Sequence, residues 1–304
     1  MKVVLIDVGT NAVRYLLARK EKEQWTDEET GGFITGLGSQ RDPDGNLSKR
    51  AMVATQQAVS YLLQQLRKKE PSRIMVMATE AVRSAKNGAE FVEMLTKAVG
   101  LPIRVLSGEE EAYLSFLGAT SGLRMGFRGD SLFAVADVGG GSTEISFGRQ
   151  GAPSQFLTFP VGSRVLTEKF LLSDPPEVVE KEKAIAYAQE TLQAASPDLH
   201  RSEILVLAGG TACNLATLRL NLTRFEPQRI HGLPVRRETV DYWLNLLSSV
   251  PAEERKQVKG LEVGREKVIL GGLILLKVVM DLAGKETALI SARSVLHGAL
   301  LSFF

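Results

Sequence analysis

Residues Asp137 to Glu144, in the run Asp137-Val-Gly139-Gly140-Gly141-Ser142-Thr143-Glu144, are of the types that build a phosphate site. A buried-strand run, Phe133 to Ala136, delivers the Asp137 carboxylate at its end, and Glu144-Ile-Ser-Phe reads as the returning strand. Glycines in the turn let backbone N–H groups face an anion, because no Cβ blocks the approach. A phosphate cradle bordered by two carboxylates needs a cation between them. Mg²⁺, which takes oxygen ligands and keeps waters, suits that place, with Mn²⁺ as an alternative. The plainer reading of this stretch alone is a glycine-rich hairpin with solvated acids.

The same device opens the chain. Lys2-Val-Val-Leu-Ile-Asp7-Val-Gly9-Thr10-Asn11 is again a strand, an aspartate and a glycine–hydroxyl turn, followed by the strand-like Val13-Arg14-Tyr15-Leu16-Leu17. Asp137 lies 130 positions after Asp7 (137 against 7). Two such units predict an internal duplication in which both turns serve a common cleft. That pattern is used by the actin, Hsp70 and sugar-kinase fold class, here an analogy of fold rather than of function. A third glycine run, Gly209-Gly210-Thr211, follows the strand Ile204 to Ala208 and is predicted as a turn before a helix.

The elements that must position these residues are legible in outline. Ser48 predicts the N-cap of a long helix to Lys69, with Met52, Val59, Leu62, Leu63 and Leu66 on one side. Ile74 to Thr79 and Ile103 to Leu106 read as strands, with a loop carrying Arg83 after the first. Ser107 caps a helix beginning Gly108-Glu109-Glu110-Glu111. The charged stretch from Lys20 to Thr30 reads as an edge turn, and 33–38 as a further strand. Residues 122–130 are the expected crossing between domains. Further on, helices are predicted from Ser163 to Phe170, Val178 to Ala195, Thr239 to Leu247, Glu262 to Leu282 and Ser294 to Phe304, and strands at Ser154 to Phe159 and Ala288 to Ser291. Alternating strands and helices predict an α/β fold with mixed sheets.

Composition narrows the function classes. The 304 residues are 44% hydrophobic and 24% charged, with room for two ordinary domains. A formal net charge of +2 gives no strong field towards nucleic acid or membranes, so neither is an expected partner. The one cysteine, Cys213, excludes an intrachain disulfide framework. No apolar run reaches spanning length; the greasiest, Val268 to Val279, contains Lys277. A cytoplasmic location is the expectation.

Several motifs occur in one order: Asp7-Val-Gly9-Thr10-Asn11 with Arg14, Ala78-Thr79-Glu80-Ala-Val-Arg83, Ser107-Gly108-Glu109-Glu110-Glu111-Ala112, Asp137 to Glu144, Pro160-Val-Gly162-Ser163, and Ala208-Gly-Gly-Thr211. The set resembles the exopolyphosphatase / guanosine pentaphosphate phosphohydrolase family (Ppx/GppA) of the actin-like ATPase superfamily, in its short two-domain form. The resemblance implies a duplicated actin-like (ribonuclease H-like) α/β fold with an interdomain cleft. One lobe would span 1–122, completed by the C-terminal helix 292–304, and the other 123–291. It implies Glu111 as the base that activates a water, with Arg83 and Glu110 in the catalytic set. Asp137, Glu144 and Asp7 would hold Mg²⁺. Gly9, Thr10, Asn11, Gly139, Gly140, Gly141, Ser142, Gly209, Gly210 and Thr211 would line a chain of phosphates. The implied substrate is inorganic polyphosphate or guanosine pentaphosphate, and a homodimer is a candidate assembly.

Elementary chemistry is consistent with those roles. Phosphoryl transfer asks a protein for positioning and charge neutralisation more than for covalent work. A carboxylate can orient and deprotonate the attacking water. Glu109, Glu110 and Glu111 are also what the first turn of any helix favours, so capping is the competing account of each. Arg14 reads equally as a surface arginine. Arg164 is a candidate contact to the substrate chain, and Arg224, Arg229, Arg236 and Arg237 form a basic cluster that either guides a polyanion or is simply solvated. The family's Arg-Ala-Asp-like helical element reads here Arg265-Glu266-Lys267, and its Gly-Leu-Arg-Glu-Gly-like turn reads Ser294-Val-Leu296-His297-Gly298. Two rivals stay open: an ATP-dependent kinase of the same fold, and a non-catalytic sensor of alarmone or polyphosphate.

Overall fold

A computed structural model describes residues 1–22, 24–38, 41–123 and 130–304. The expected domain crossing at 122–130 lies mostly outside them. The chain forms two compact units, Met1–Leu114 with Val295–Phe304, and Ser115–Ser294.

The first unit runs β1 (Lys2–Val8), β2 (Ala12–Glu21), β3 (Gln24–Ile34), α1 (Lys49–Arg67), β4 (Arg73–Ala78), α2 (Glu80–Arg83), α3 (Gly88–Val99), β5 (Ile103–Val105) and the start of α4 (Gly108–Thr120). Its sheet has the order β3-β2-β1-β4-β5, with β1, β2 and β3 antiparallel and β4 and β5 parallel to β1. Strand β1 is buried on both faces, so it reads as a continuous apolar run. Val4, Ile6 and Val8 pack with Val59, Leu63 and Leu66 of α1 and with Phe91 and Leu95 of α3. Val3 and Leu5 pack on the other face with Leu106, Leu114, Leu296 and Leu300. Asp7 interrupts that run at the strand's end.

The second unit runs β6 (Leu132–Val138), β7 (Thr143–Arg149), β8 (Ala152–Phe159), α5 (Ser163–Phe170), α6 (Val178–Leu192), α7 (Ser196–Arg201), β9 (Ile204–Ala208), α8 (Gly209–Arg219), α9 (Pro227–Ile230), β10 (Leu233–Arg236), α10 (Arg237–Ser248), α11 (Ala252–Arg255), α12 (Ile269–Ala283) and β11 (Thr287–Ile290). Helix α13 (Val295–Phe303) belongs to the first unit. The sheet order β10-β11-β9-β6-β7-β8 repeats that of the first unit, with β6, β7, β8 and β9 in the places of β1, β2, β3 and β4 and an extra edge strand, β10. Both the α/β class and the duplication predicted from the sequence are present. Helix α12 is apolar almost all round and buried except at Lys277, Asp281 and Leu282, as a core helix should be. Its Lys277 leaves the core through ion pairs to Asp241 and Asp281, both at 3.1 Å.

Several local expectations need correction. The charged stretch from Lys20 is not an edge turn: Gln24–Ile34 is an eleven-residue strand whose residues alternate between half-buried and exposed along its first half. The strand expected at 33–38 is the end of this one. Arg83 closes the short helix α2 rather than sitting in a loop. Gly209-Gly210-Thr211 is the first turn of α8 itself. Residues 262–268 are not helical; Gly264 has φ +90°, a conformation that side chains rarely adopt. Among the described residues, no helix is long and apolar enough to cross a membrane.

Candidate active site

In the first unit, the turn between β1 and β2 is closed by the Gly9 N–H donating to Ala12 O at 3.1 Å. The chain leaving β3 folds back over it. Thr35 and Gly36 N–H both donate to Asn11 O, at 3.0 and 2.9 Å, and Gly38 N–H donates to Thr10 O at 2.8 Å. The carbonyls of the turn are therefore occupied. The N–H groups of Thr10 and Asn11 donate in no backbone–backbone bond among the described residues. Asp7 stands opposite Arg14 in the β1–β2 register.

The acid cluster at the start of α4 divides its labour. Glu110 takes part in a reciprocal cap: its Oε2 accepts from Ser107 N–H at 2.8 Å, and Ser107 Oγ accepts from Glu110 N–H at 3.1 Å. Arg104 Nη2 donates to its other oxygen at 2.8 Å. The Ser107 amide, and after it the Arg104 guanidinium, hold the Glu110 carboxyl below the usual glutamate range. Glu110 is thus engaged in positioning the helix start. Glu111, one residue on, accepts from Arg83 Nη1 at 2.9 Å. The same Nη1 donates to Leu106 O at 2.8 Å, which ties the guanidinium to the end of β5. Among the described residues, Arg83 Nε and Nη2 make no hydrogen bond, so a planar donor edge remains beside the Glu111 carboxylate.

In the second unit, the turn between β6 and β7 repeats the first. Gly139 N–H donates to Ser142 O at 3.0 Å. The segment after β8 covers it: Ser163 N–H donates to Gly139 O at 2.9 Å and Arg164 N–H to Gly140 O at 3.0 Å. Gly162 must be glycine, since a Cβ there would run into the backbone of Gly140 and Gly141. The N–H groups of Gly140, Gly141 and Ser142 donate in no backbone–backbone bond among the described residues. Asp137 and Glu144 are directly opposite each other in the register.

Helix α8 brings the third glycine run to this turn. Gly209 has φ +87°, and a Cβ there would lie 2.6 Å from Asp137 Oδ1 and 2.7 Å from Val138 O. Close approach and backbone conformation both demand glycine. The N–H groups of the first turn of α8 have no intrahelical acceptor and favour an anion. Helix α12 sets the position of both covering elements through Gly271, which lies against Ser163 O and Thr167, and Gly272, which lies against Thr211.

One residue the sequence reading passed over belongs here. The Arg265 guanidinium occupies the space a Gly210 side chain would fill, with its Cζ 2.5 Å from that position. Arg265 was legible only as a departure from a helical motif; its meaning depends on the missing Cβ at Gly210. Other candidates are accounted for locally. Arg164 pairs with Glu168 at 3.3 Å. Arg224 and Arg229 pair with Glu226, Arg236 with Glu238, and Arg237 with Asp241, Asp281 and Glu286. The basic cluster is a paired surface. His231 bridges Ser121 O and Ser291 Oγ, and Cys213 Sγ packs at 3.5 Å from Ser291 O. His297 pairs with Asp27 at 3.2 Å.

Comparison with known proteins fits this geometry. The chain is 29% identical to Exopolyphosphatase 2 of Mycobacterium tuberculosis, over 99% of this chain and 98% of the relative. It is 28% identical, over 97% of its length, to a bifunctional 3-dehydroquinate synthase/phosphatase of Fusobacterium nucleatum, of which it spans only 46%. A solved Aquifex aeolicus PPX-GPPA enzyme superposes with a TM-score of 0.86 at 29% identity, covering 99% of both chains. The fold of an exopolyphosphatase from Cytophaga hutchinsonii also matches, with a TM-score of 0.88 at 21% identity. The model of the Ppx/GppA phosphatase family matches residues 18–304, and the chain belongs to that family.

Proposed function

We propose that this protein removes the terminal phosphate of inorganic polyphosphate, or the 5′-terminal phosphate of guanosine pentaphosphate, by attack of a water that Glu111 orients and deprotonates. The observation that carries the reading is the pair of carboxylates, Asp137 and Glu144, facing each other across a glycine turn whose N–H groups are left to a ligand. The family match and the exopolyphosphatase name of the Mycobacterium tuberculosis relative support the substrate class.

The residues act as follows. The amides of Gly140, Gly141 and Ser142 and the first turn of α8 hold phosphate oxygens, and those of Thr10 and Asn11 do the same in the first unit. Arg83 presents its remaining N–H edge to a phosphoryl group while its Nη1 keeps Glu111 in place. Glu111 takes a proton of the water as its oxygen bonds to the terminal phosphorus; the bridging P–O bond breaks, orthophosphate is released, and the shortened chain leaves as an anion held by the amides. Glu110, through its cap with Ser107, fixes where Glu111 points. Arg265, packed against Gly210 and paired with Glu262, places a guanidinium at the α8 end of the phosphate run.

The residues present fit a divalent cation. Two like charges directly opposite in an antiparallel pair are unfavourable without a counter-charge. Mg²⁺ is held by one or two carboxylates with several waters retained, which matches a two-carboxylate donor set. Among the described residues no group of three or more His, Cys, Asp or Glu that could hold a metal ion is found. Asp137 and Glu144 would hold the ion, with Mn²⁺ as an alternative, and Asp7 contributes in the first unit. The ion's chemistry there is to offset charge on phosphoryl oxygens.

The test is phosphate release from long-chain polyphosphate, guanosine pentaphosphate and ATP at matched Mg²⁺, with and without a chelator. Release from one of the first two, lost on chelation, is expected. Transfer from ATP to an acceptor with no release from either would favour the kinase reading. Binding of polyphosphate with no turnover would favour the sensor.

A further inference from the structure

The duplication relates more than the two hairpin turns. Met77 pairs with Asp7 and Ala208 with Asp137, so Ala78, Thr79 and Glu80 take the register places of Gly209, Gly210 and Thr211. In the second unit the place of Glu80 holds the neutral Thr211, which lies against Gly272, one residue after Gly210 and the Arg265 guanidinium packed on it. In the first unit it carries a carboxylate.

That carboxylate is held against the first phosphate turn. The Thr10 methyl is packed on Gly38, which directs Thr10 Oγ1 towards Glu80; it donates to Glu80 Oε2 at 3.2 Å. Ser84 Oγ lies 2.6 Å from Oε1. Arg41 Nη2 is 3.6 Å from the same oxygen, 2.7 Å from Ser84 Oγ and 3.0 Å from Ala81 O. The side chain of Glu80 is 48% exposed, so it faces what enters the turn as well as its partners. A hydroxyl has one proton to donate. While Thr10 gives it to Glu80, it cannot give it to a phosphate oxygen.

We propose that Glu80 is a specificity-determining residue: a built-in anionic competitor at the Gly9–Asn11 turn that occupies the Thr10 donor, engages Arg41 and repels phosphate. An incoming phosphoryl group must displace Glu80 from Thr10 and work against its charge. The second turn, with the neutral Thr211 at the matching place, imposes no such cost. Phosphate is therefore held more tightly at the second unit's turn than at the first. The inference rests on the phosphate-binding reading of the Thr10 turn.

The experiment compares wild type with Glu80→Gln, which keeps the shape and an acceptor for Thr10 but removes the charge, and with Glu80→Ala. In steady-state hydrolysis of polyphosphate, both variants should lower KM about threefold to tenfold, the effect of one partly screened charge, with kcat changed less than about twofold. Inhibition by inorganic phosphate should strengthen in the same proportion, and the gap should narrow as salt is raised. Unchanged or raised KM and phosphate inhibition constants in Glu80→Gln, with the melting temperature retained, would overturn the proposal and leave Glu80 as a local anchor for α2. If wild type hydrolyses none of the substrates, the hydrolase reading has failed by itself. Equilibrium binding of tripolyphosphate then decides: tighter binding to Glu80→Gln than to wild type supports the competitor, and equal, weaker or absent binding overturns it.

Discussion

The turn at Gly9 in the first unit and the turn at Gly139 in the second close with the same hydrogen bond, at 3.1 and 3.0 Å, and each is roofed by the segment that follows the third strand of its sheet. Their side chains differ. Opposite Asp7 stands Arg14; opposite Asp137 stands Glu144. After the parallel neighbour strand the first unit has Glu80, held on Thr10, where the second has the neutral Thr211, one residue past Gly210 and Arg265. The backbone repeats and the charge does not. In the first unit side chains of opposite sign meet around the turn. In the second, two acids stand opposite each other, and the N–H groups of Gly140, Gly141 and Ser142 donate in no backbone–backbone bond among the described residues. One duplicated frame can therefore carry two different electrostatic tasks.

The largest expected effect comes from making the second turn resemble the first. Glu144→Arg, which puts opposite Asp137 the residue type that stands opposite Asp7, should abolish Mg²⁺-dependent phosphate release, a loss of at least about 10³-fold. Arg14→Ala should cost less than about fivefold in the same assay. Equal losses would break the comparison. Next is Gly209→Ala: with φ +87° and Asp137 Oδ1 at 2.6 Å from the new Cβ, it should lower stability by about 1–3 kcal/mol and activity by about 10²-fold. Thr79→Ala, at the corresponding strand–helix junction of the first unit, should leave activity within about threefold.

The roofs of the two turns should differ more modestly. Gly162→Ala meets the Gly140–Gly141 backbone and should cost about 1–3 kcal/mol in thermal or urea unfolding. Gly38→Ala meets mainly the Thr10 methyl, a side chain that can rotate at the expense of its bond to Glu80, and should cost less. The smallest effect is a pH dependence. Glu110 is held below the usual glutamate range, so the folded chain binds its charged form better. Its contribution is present above that usual range and lost as pH falls through the lowered value. Glu110→Gln should therefore flatten the acid limb of melting temperature against pH and leave the neutral region nearly unchanged.

How far the sequence disclosed this depends on the range of the interactions involved. The N-cap Ser48 and the apolar stripe of α1 are local signals, and the helix starts where they put it. The two strand–Asp–Gly turns are likewise local, and their matched offset revealed the duplication. Strand β3 was hidden because an edge strand facing water carries Asp27, Glu28 and Glu29, which read as loop. The 262–268 segment has the composition of a helix. Gly264 and the buried Arg255, which donates to Glu266 O at 2.9 Å and pairs with Asp174 at 2.7 Å, hold it in another shape. Arg265 over Gly210, and Glu80 on Thr10 across 70 positions, are tertiary facts with no local signature.

The central claim is that Glu111 is the base and the glycine turns bind phosphate independently of it. The most direct measurement pairs single-turnover phosphate release with equilibrium binding of polyphosphate in wild type and Glu111→Gln, at saturating Mg²⁺. The account predicts a rate lower by about 10²–10⁴-fold with binding preserved within about threefold. Release by Glu111→Gln at the wild-type rate would contradict it.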